Sequence, residues 1–210
     1  MGVALSLSKD HPAYQALLLG AVCAVVSLLL IAGNLNTTQK IATLRQQDKL
    51  NLLAQVLPTR LYDNQPLQET LTLSSDRLLA PATLMLARKD GKLTAVAMQL
   101  TVAGWGGPLQ MLLAVTPEGE LLGVRIISHK ETPGLTDGIE AEKSNWINGF
   151  NGKSLQNPTE DGWAVKKDGG EFDQFTGATI TPRAVVHGVY QGLLLFQQWQ
   201  QTQADKETQV

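Results

Sequence analysis

Asp173, Thr176, Gly177, Ala178 and Thr179 fall within one short stretch, Asp-Gln-Phe-Thr-Gly-Ala-Thr-Ile-Thr-Pro, running from Asp173 to Pro182. Thr179, just ahead of a helix, reads as an exposed hydroxyl beside an anion-friendly helix end. A helix start offers backbone N–H groups without intrahelical partners and the positive end of the macrodipole, which favours an anion by roughly 0.3–2 kcal/mol. Gly177 and Ala178 remove side-chain bulk, so an outside group can approach closely. A threonine nucleophile needs a base, and the nearest histidine in sequence, His187, is eight residues on; self-catalysed chemistry at Thr179 is not expected. The phosphate-loop pattern GxxxxGK[ST] is absent. On composition alone, Thr176 to Thr179 also describe a capped turn with no chemistry.

The elements that must position this stretch follow from periodicity and turn residues. Thr181 is a natural N-cap and Pro182 suits the first helical position. Val185, Val189, Leu193 and Phe196 form an apolar stripe, so a helix is predicted from Pro182 to about Gln200, with Thr179 two residues ahead of it. Upstream, Arg-Lys-Asp-Gly-Lys (Arg88 to Lys92) and Thr-Pro-Glu-Gly (Thr116 to Gly119) separate apolar segments in the manner of hairpin turns. The middle of the chain therefore reads as antiparallel sheet, with a short helix around Ile139 to Ile147 and loops from Asn148 to Gly170. Tyr62 to Asp76 reads as a polar stretch of turns. Gln39 to Leu57 reads as a helix stopped by Pro58.

Ahead of that helix, Ala16 to Gly33 holds no charge and one polar side chain, Ser27, and as a helix spans roughly 27 Å. An uncleaved membrane anchor is expected rather than a signal peptide, whose apolar core is usually about 7–15 residues. Cys23 within it is expected to be a small buried apolar residue. Lys9 before the span and Lys40, Arg45 and Lys49 after it leave the orientation open by charge. The expected layout is a tail over residues 1–13, a transmembrane helix over 14–35, a helical stalk over 36–60 and one α+β domain over 61–210.

Composition narrows the function classes. Lys and Arg number 17 against 19 Asp and Glu, a formal net charge of -2, and no basic stripe exists for a phosphate backbone, so no nucleic-acid partner is expected. One cysteine excludes an intrachain disulfide framework and a self-contained iron–sulfur cluster. Three dispersed histidines without an HExxH pattern give no support to a metal-dependent hydrolase; His129 and His187 read as structural.

Asp173, Thr176, Gly177, Ala178 and Thr179 match Asp-x-x-[Ser/Thr]-Gly-Ala-Thr and so resemble the acceptor sequence of FMN-binding domains. In that family FMN is joined through its phosphate to the last threonine. A separate flavin transferase takes the FMN moiety from FAD, which agrees with the missing local base. The apolar N-terminal segment, Gly-Trp-Gly-Gly-Pro-Leu-Gln (Gly104 to Gln110) and Ser-His-Lys-Glu-Thr-Pro-Gly-Leu (Ser128 to Leu135) resemble features of the G subunit of the Rnf, or Rsx, ion-translocating electron transport complex. That subunit is related to the C subunit of the sodium-translocating NADH:quinone reductase. Such subunits continue with another glycine where this chain has Thr136, which bears on the backbone of that loop.

The resemblance implies an α+β fold: a single N-terminal transmembrane helix followed by one FMN-binding domain with antiparallel sheet and flanking helices. It further implies covalent FMN on Thr179, a bacterial inner-membrane location with the domain facing the periplasm, and partners among the membrane and peripheral subunits of the Rnf complex. The complex would pass electrons between ferredoxin and NAD and couple them to ion translocation. For a flavin ring, Trp105, Trp146, Trp163 and Phe175 are candidates for an apolar slot. Glu131, Thr132 and Leu135 are expected as contacts to its polar atoms, and Asp173 is expected to serve transferase recognition or to brace the turn. Two other readings stay open: a membrane-anchored binding or assembly module without flavin, and a membrane-tethered enzyme with noncovalent FMN.

Overall fold

The computed structural model describes residues 12–208, so the expected tail lies outside them apart from Pro12 and Ala13. The chain divides between Lys49 and Leu50 into two compact units. The first is formed by most of a long helix, α1 (Pro12–Val56). Within it Pro12–Asn34, 23 residues of mean hydropathy 2.7, is long and apolar enough to cross a membrane. Leu17, Leu19, Leu28, Leu29 and Leu30 are each more than 60 % exposed there, apolar all round with no protein against them. Cys23 is likewise exposed and not buried as expected, because it lies within the apolar segment Pro12–Asn34, none of which is buried by protein.

From Leu50 onward the second unit is an antiparallel sheet with a helix on either face. Its five strands are β1 (Thr70–Leu73), β2 (Ala82–Lys89), β3 (Lys92–Ala103), β4 (Pro108–Val115) and β5 (Leu121–Ser128), paired in chain order. The Asp90-Gly91 turn between β2 and β3 has φ of 52° and 75°, the positive pair that a two-residue hairpin needs to match strand twist. In the hairpin between β4 and β5, the Thr116 carbonyl accepts the Gly119 N–H at 3.0 Å.

Alternation along the strands makes two cores. Val96, Met98, Leu100 and Val102 of β3 and Leu109, Met111, Leu113 and Val115 of β4 point to one face. Against them packs α2 (Ile180–Thr208), whose predicted stripe of Val185, Val189, Leu193 and Phe196 is buried to within 1 %. Burying each such side chain contributes about 1.5–3 kcal/mol. Ala95 and Ala97 of β3 and Ala114 of β4 point to the opposite face, where small residues admit Leu53, Val56 and Leu57 from the end of α1 and the segment after it. A Cβ at Gly123 would lie 3.1 Å from the Val56 backbone. This end of the expected stalk is thus core of the sheet unit.

Three sequence expectations change. The stretch Tyr62 to Asp76 contains β1, an edge strand whose residues are mostly exposed and therefore carry little apolar pattern. The helix expected over Ile139 to Ile147 is instead two single 3₁₀ turns, Asp137–Ile139 and Trp146–Phe150. Gly138, Asn145, Asn148 and Gly149 are poor helix formers, while Ile139, Ile147 and Phe150 are buried in the same core as α2. Lastly, α2 begins at Ile180 and not Pro182, so Thr179 immediately precedes it.

Candidate functional site

Three segments meet at the N-terminal end of α2. The first is the turn between β3 and β4, closed by Gly104 N–H donating to the Gly107 carbonyl at 2.9 Å. The second is the loop after β5, from His129 to Thr136. The third is the Thr176–Thr179 turn itself. There Ala178 N–H donates to the Phe175 carbonyl at 3.2 Å, and Gly177 sits at φ 80°, a conformation glycine adopts without steric cost. The glycine in this motif is thus required by the turn that presents Thr179.

A cavity of about 390 Å³ opens between these segments, lined by Trp105, by Thr132, Leu135 and Thr136, and by Gly177 to Thr181. That volume lies within the range of small-molecule sites, roughly 300–1,000 Å³. Thr179 is half-buried, its carbonyl accepts the Arg183 N–H at 3.3 Å, and among the described residues its hydroxyl enters no hydrogen bond. None of the lining side chains titrates in the ordinary pH range. The cavity offers hydroxyls, an indole, aliphatic groups and the backbone of a helix start, which suits a planar, partly apolar group with an anionic tail.

The loop walls are fixed by local bonds. Leu135 N–H and the Thr136 hydroxyl both donate to the Thr132 carbonyl, at 3.3 and 3.0 Å. Thr136 takes φ −117° and ψ 8°, outside the left-handed region, so its side chain causes no backbone strain. Asp137 accepts the Gly134 N–H at 2.8 Å. That backbone bond, followed by Lys143, holds the Asp137 carboxyl below the usual carboxylate range. On the other side of the motif, Arg183 pairs with Asp168 through two hydrogen bonds, one of them at 2.6 Å. This pairing lowers the Asp168 carboxyl and raises the Arg183 guanidinium. Asp173 is exposed, pairs with Lys166 at 2.7 Å and does not line the cavity.

The remaining expected ring contacts divide. Thr132, Leu135 and Trp105 face the cavity, and Trp105 and Leu135 are 69 % and 49 % exposed. Trp146 does not line it: its indole N–H donates to the Asp173 carbonyl at 2.8 Å and its ring meets Phe150 and Phe175 edge-on. It braces the motif from behind. Trp163 is buried among Phe150, Phe172 and Tyr190. Glu131 is buried and also does not line the cavity. One carboxylate oxygen accepts the Gly106 N–H at 3.0 Å and the other accepts the Thr181 hydroxyl. That bond occupies the hydroxyl expected to cap the helix. His129 lies near Glu140 at 3.6 Å, and His187 is within hydrogen-bond distance of Gln191. Sequence reasoning places Thr181 only as a cap and does not place Ile180 or Thr136 at the site. Adjacency to Thr179 is the available signal for Ile180.

Residues 104–194 match the FMN-binding domain family, a span that holds all three cavity walls. The G subunit of an ion-translocating oxidoreductase complex from Stutzerimonas stutzeri is 48 % identical over 200 residues, covering 95 % of this chain and 87 % of that protein. The proteins of the same name from Cereibacter sphaeroides and Pseudomonas aeruginosa are 47 % and 46 % identical, covering 90 % and 87 % of this chain and 85 % and 87 % of their own lengths. Among solved structures, the C subunit of the Na⁺-translocating NADH-quinone reductase from Parabacteroides distasonis is 26 % identical. It aligns over 54 % of this chain and 59 % of its own, with a TM-score of 0.42, too partial a likeness to carry a structural argument.

Proposed function

The chain belongs to the family of G subunits of ion-translocating oxidoreductase complexes, and from that premise we propose that it is a membrane-anchored electron carrier with FMN esterified through its phosphate to Thr179. The observation that carries this reading is the free Thr179 hydroxyl at the mouth of a cavity at a helix start, inside a span that matches the FMN-binding domain family. Bound flavin supplies one- and two-electron chemistry. The chain's own residues hold it: Thr179 carries the phosphate, Thr176, Gly177 and Ala178 form the turn that exposes it, and Thr132, Leu135 and Trp105 line the space for the ring. Electrostatic support comes from the helix start, where the first-turn N–H groups lack intrahelical partners.

Attachment is assigned to a separate transferase using FAD. The Thr179 oxygen forms a bond to the FMN phosphorus, the pyrophosphate bond of FAD breaks, AMP leaves, and the hydroxyl proton goes to a base that the cavity does not contain. Asp173, exposed beside the motif, is assigned to recognition by that transferase. Residues 12–34 anchor the chain in the bacterial inner membrane with the sheet unit on the periplasmic side. The partners are the other subunits of an Rnf-type complex that moves electrons between ferredoxin and NAD and couples this to ion translocation.

The test is in-gel flavin fluorescence and intact mass on full-length protein matured with its transferase, under denaturing conditions. Wild type is expected to give a fluorescent band heavier by FMN less water, and Thr179→Ala none. A wild type that stays dark at its unmodified mass removes the covalent reading and leaves an anchored binding module; flavin released by denaturation points to noncovalent FMN.

A further inference from the structure

The Glu131 carboxylate is 5 % exposed and makes no ion pair among the described residues, yet both its oxygens are engaged. Its two partners belong to different walls of the cavity. Gly106 follows Trp105 in the β3–β4 turn, and Thr181 stands in the first turn of α2, two residues after Thr179. The glutamate itself begins the third wall, one residue before Thr132. Both neighbouring glycines are shaped to this contact. A Cβ at Gly104 would overlap the Glu131 carboxylate, and a Cβ at Gly106 would overlap the Lys130 carbonyl oxygen.

We infer that Glu131 is the positioning residue of the flavin site, a carboxylate clamp that fixes the distances between Trp105, Thr132 and Thr179. This rests on the flavin reading of Thr179. A buried acceptor that loses a partner must be left unsatisfied or move, and a displacement on the order of 1 Å at a reacting group can cost about 10²-fold in rate. The clamp thus governs how fast Thr179 accepts FMN while touching neither Thr179 nor the incoming phosphate.

The test uses full-length apoprotein, purified transferase and FAD, following flavin incorporation against time by in-gel fluorescence and measuring amide hydrogen exchange at Gly106 before attachment. Glu131→Ala is expected to expose the Gly106 amide to exchange and to slow incorporation on the order of 10²-fold. Glu131→Gln still offers an oxygen to Gly106 and can donate its amide to the Thr181 oxygen, so it should stay within about threefold of wild type. Thr181→Val removes only the hydroxyl and should slow incorporation by about tenfold, which keeps the test available if Glu131→Ala does not fold. Leu53→Ala, a core change on the opposite face of the sheet, controls for lost stability and should leave the rate unchanged. Wild-type rates in Glu131→Ala and Thr181→Val overturn the clamp, and so does a rate in Leu53→Ala that falls as far as theirs for an equal loss of stability. A wild type that takes no flavin overturns the reading of Thr179 itself, and the role of Glu131 with it.

Discussion

Gly106→Ala isolates the packing of the β3–β4 turn against the loop after β5. A Cβ there would lie 2.6 Å from the Lys130 carbonyl carbon and 3.2 Å from the Glu131 nitrogen. The nearest atom is the Lys130 carbonyl oxygen at 1.8 Å, against an ordinary carbon–oxygen contact of about 3.3 Å, so the turn and the loop must part by about 1.5 Å. The obstructing atoms are backbone and cannot swing aside. Overpacking of this kind costs about 1–3 kcal/mol, and each kcal/mol lowers Tm by about 2–4 °C in a unit of this size. The same displacement stretches the Gly106–Glu131 bond and carries Trp105 away from Thr132 and Thr179, so flavin incorporation should fall by up to about 10²-fold. Gly149→Ala is the matched control, since a Cβ at Gly149 meets nothing within 4 Å; its effect should stay within about 0.5 kcal/mol. Thermal unfolding by circular dichroism and timed flavin fluorescence measure both effects. If Gly106→Ala matches Gly149→Ala in Tm and in incorporation rate, the close approach of turn and loop does not shape the site.

Three further outcomes are expected. The Asp137 carboxyl is held low mainly by the Gly134 N–H, so its contribution is present above the unfolded value of about 3.9 and is lost as pH falls through the lower folded value; Gly134 amide protection should drop in that acidic window in wild type, and constant protection there refutes the bond's role. Leu53→Ala should destabilise the sheet unit by about 2–5 kcal/mol, read by urea unfolding, because Leu53 is 1 % exposed against the alanine face; a loss below about 1 kcal/mol would mean that the end of α1 does not belong to that core. Asp173→Asn breaks an exposed pair with Lys166 and should change stability by less than about 1 kcal/mol while slowing flavin incorporation; equal rates would remove Asp173 from transferase recognition.

Much of the architecture was legible because its signals are local. The Asp90-Gly91 hairpin, the buried stripe on α2, the apolar run before Asn34 and the stop at Pro58 each follow from a turn's φ requirement or from a period of 2 or 3.6 residues. The stretch Asp173 to Thr179 was legible through its resemblance to the acceptor sequence of FMN-binding domains. β1 escaped because an exposed edge strand needs no apolar alternation, and the segment after Asp137 was misread because Ile139 and Ile147 enter the core from two separate 3₁₀ segments and not from one face of a helix.

What the sequence by itself determined was the anchor-like segment, the antiparallel class and the turn that places Thr179 just ahead of a helix. Only the tertiary structure decided which residues surround it. Glu131, Thr132 and Leu135 are close neighbours in the chain, yet Thr132 and Leu135 face the cavity while Glu131 turns inward to Gly106 and Thr181. Trp105 and Trp146 are both large aromatics near the motif, yet only Trp105 lines the space. The reason is physical: side-chain direction in loops is set by hydrogen bonds and packing between segments 25 to 50 residues apart, and no local period records those partners.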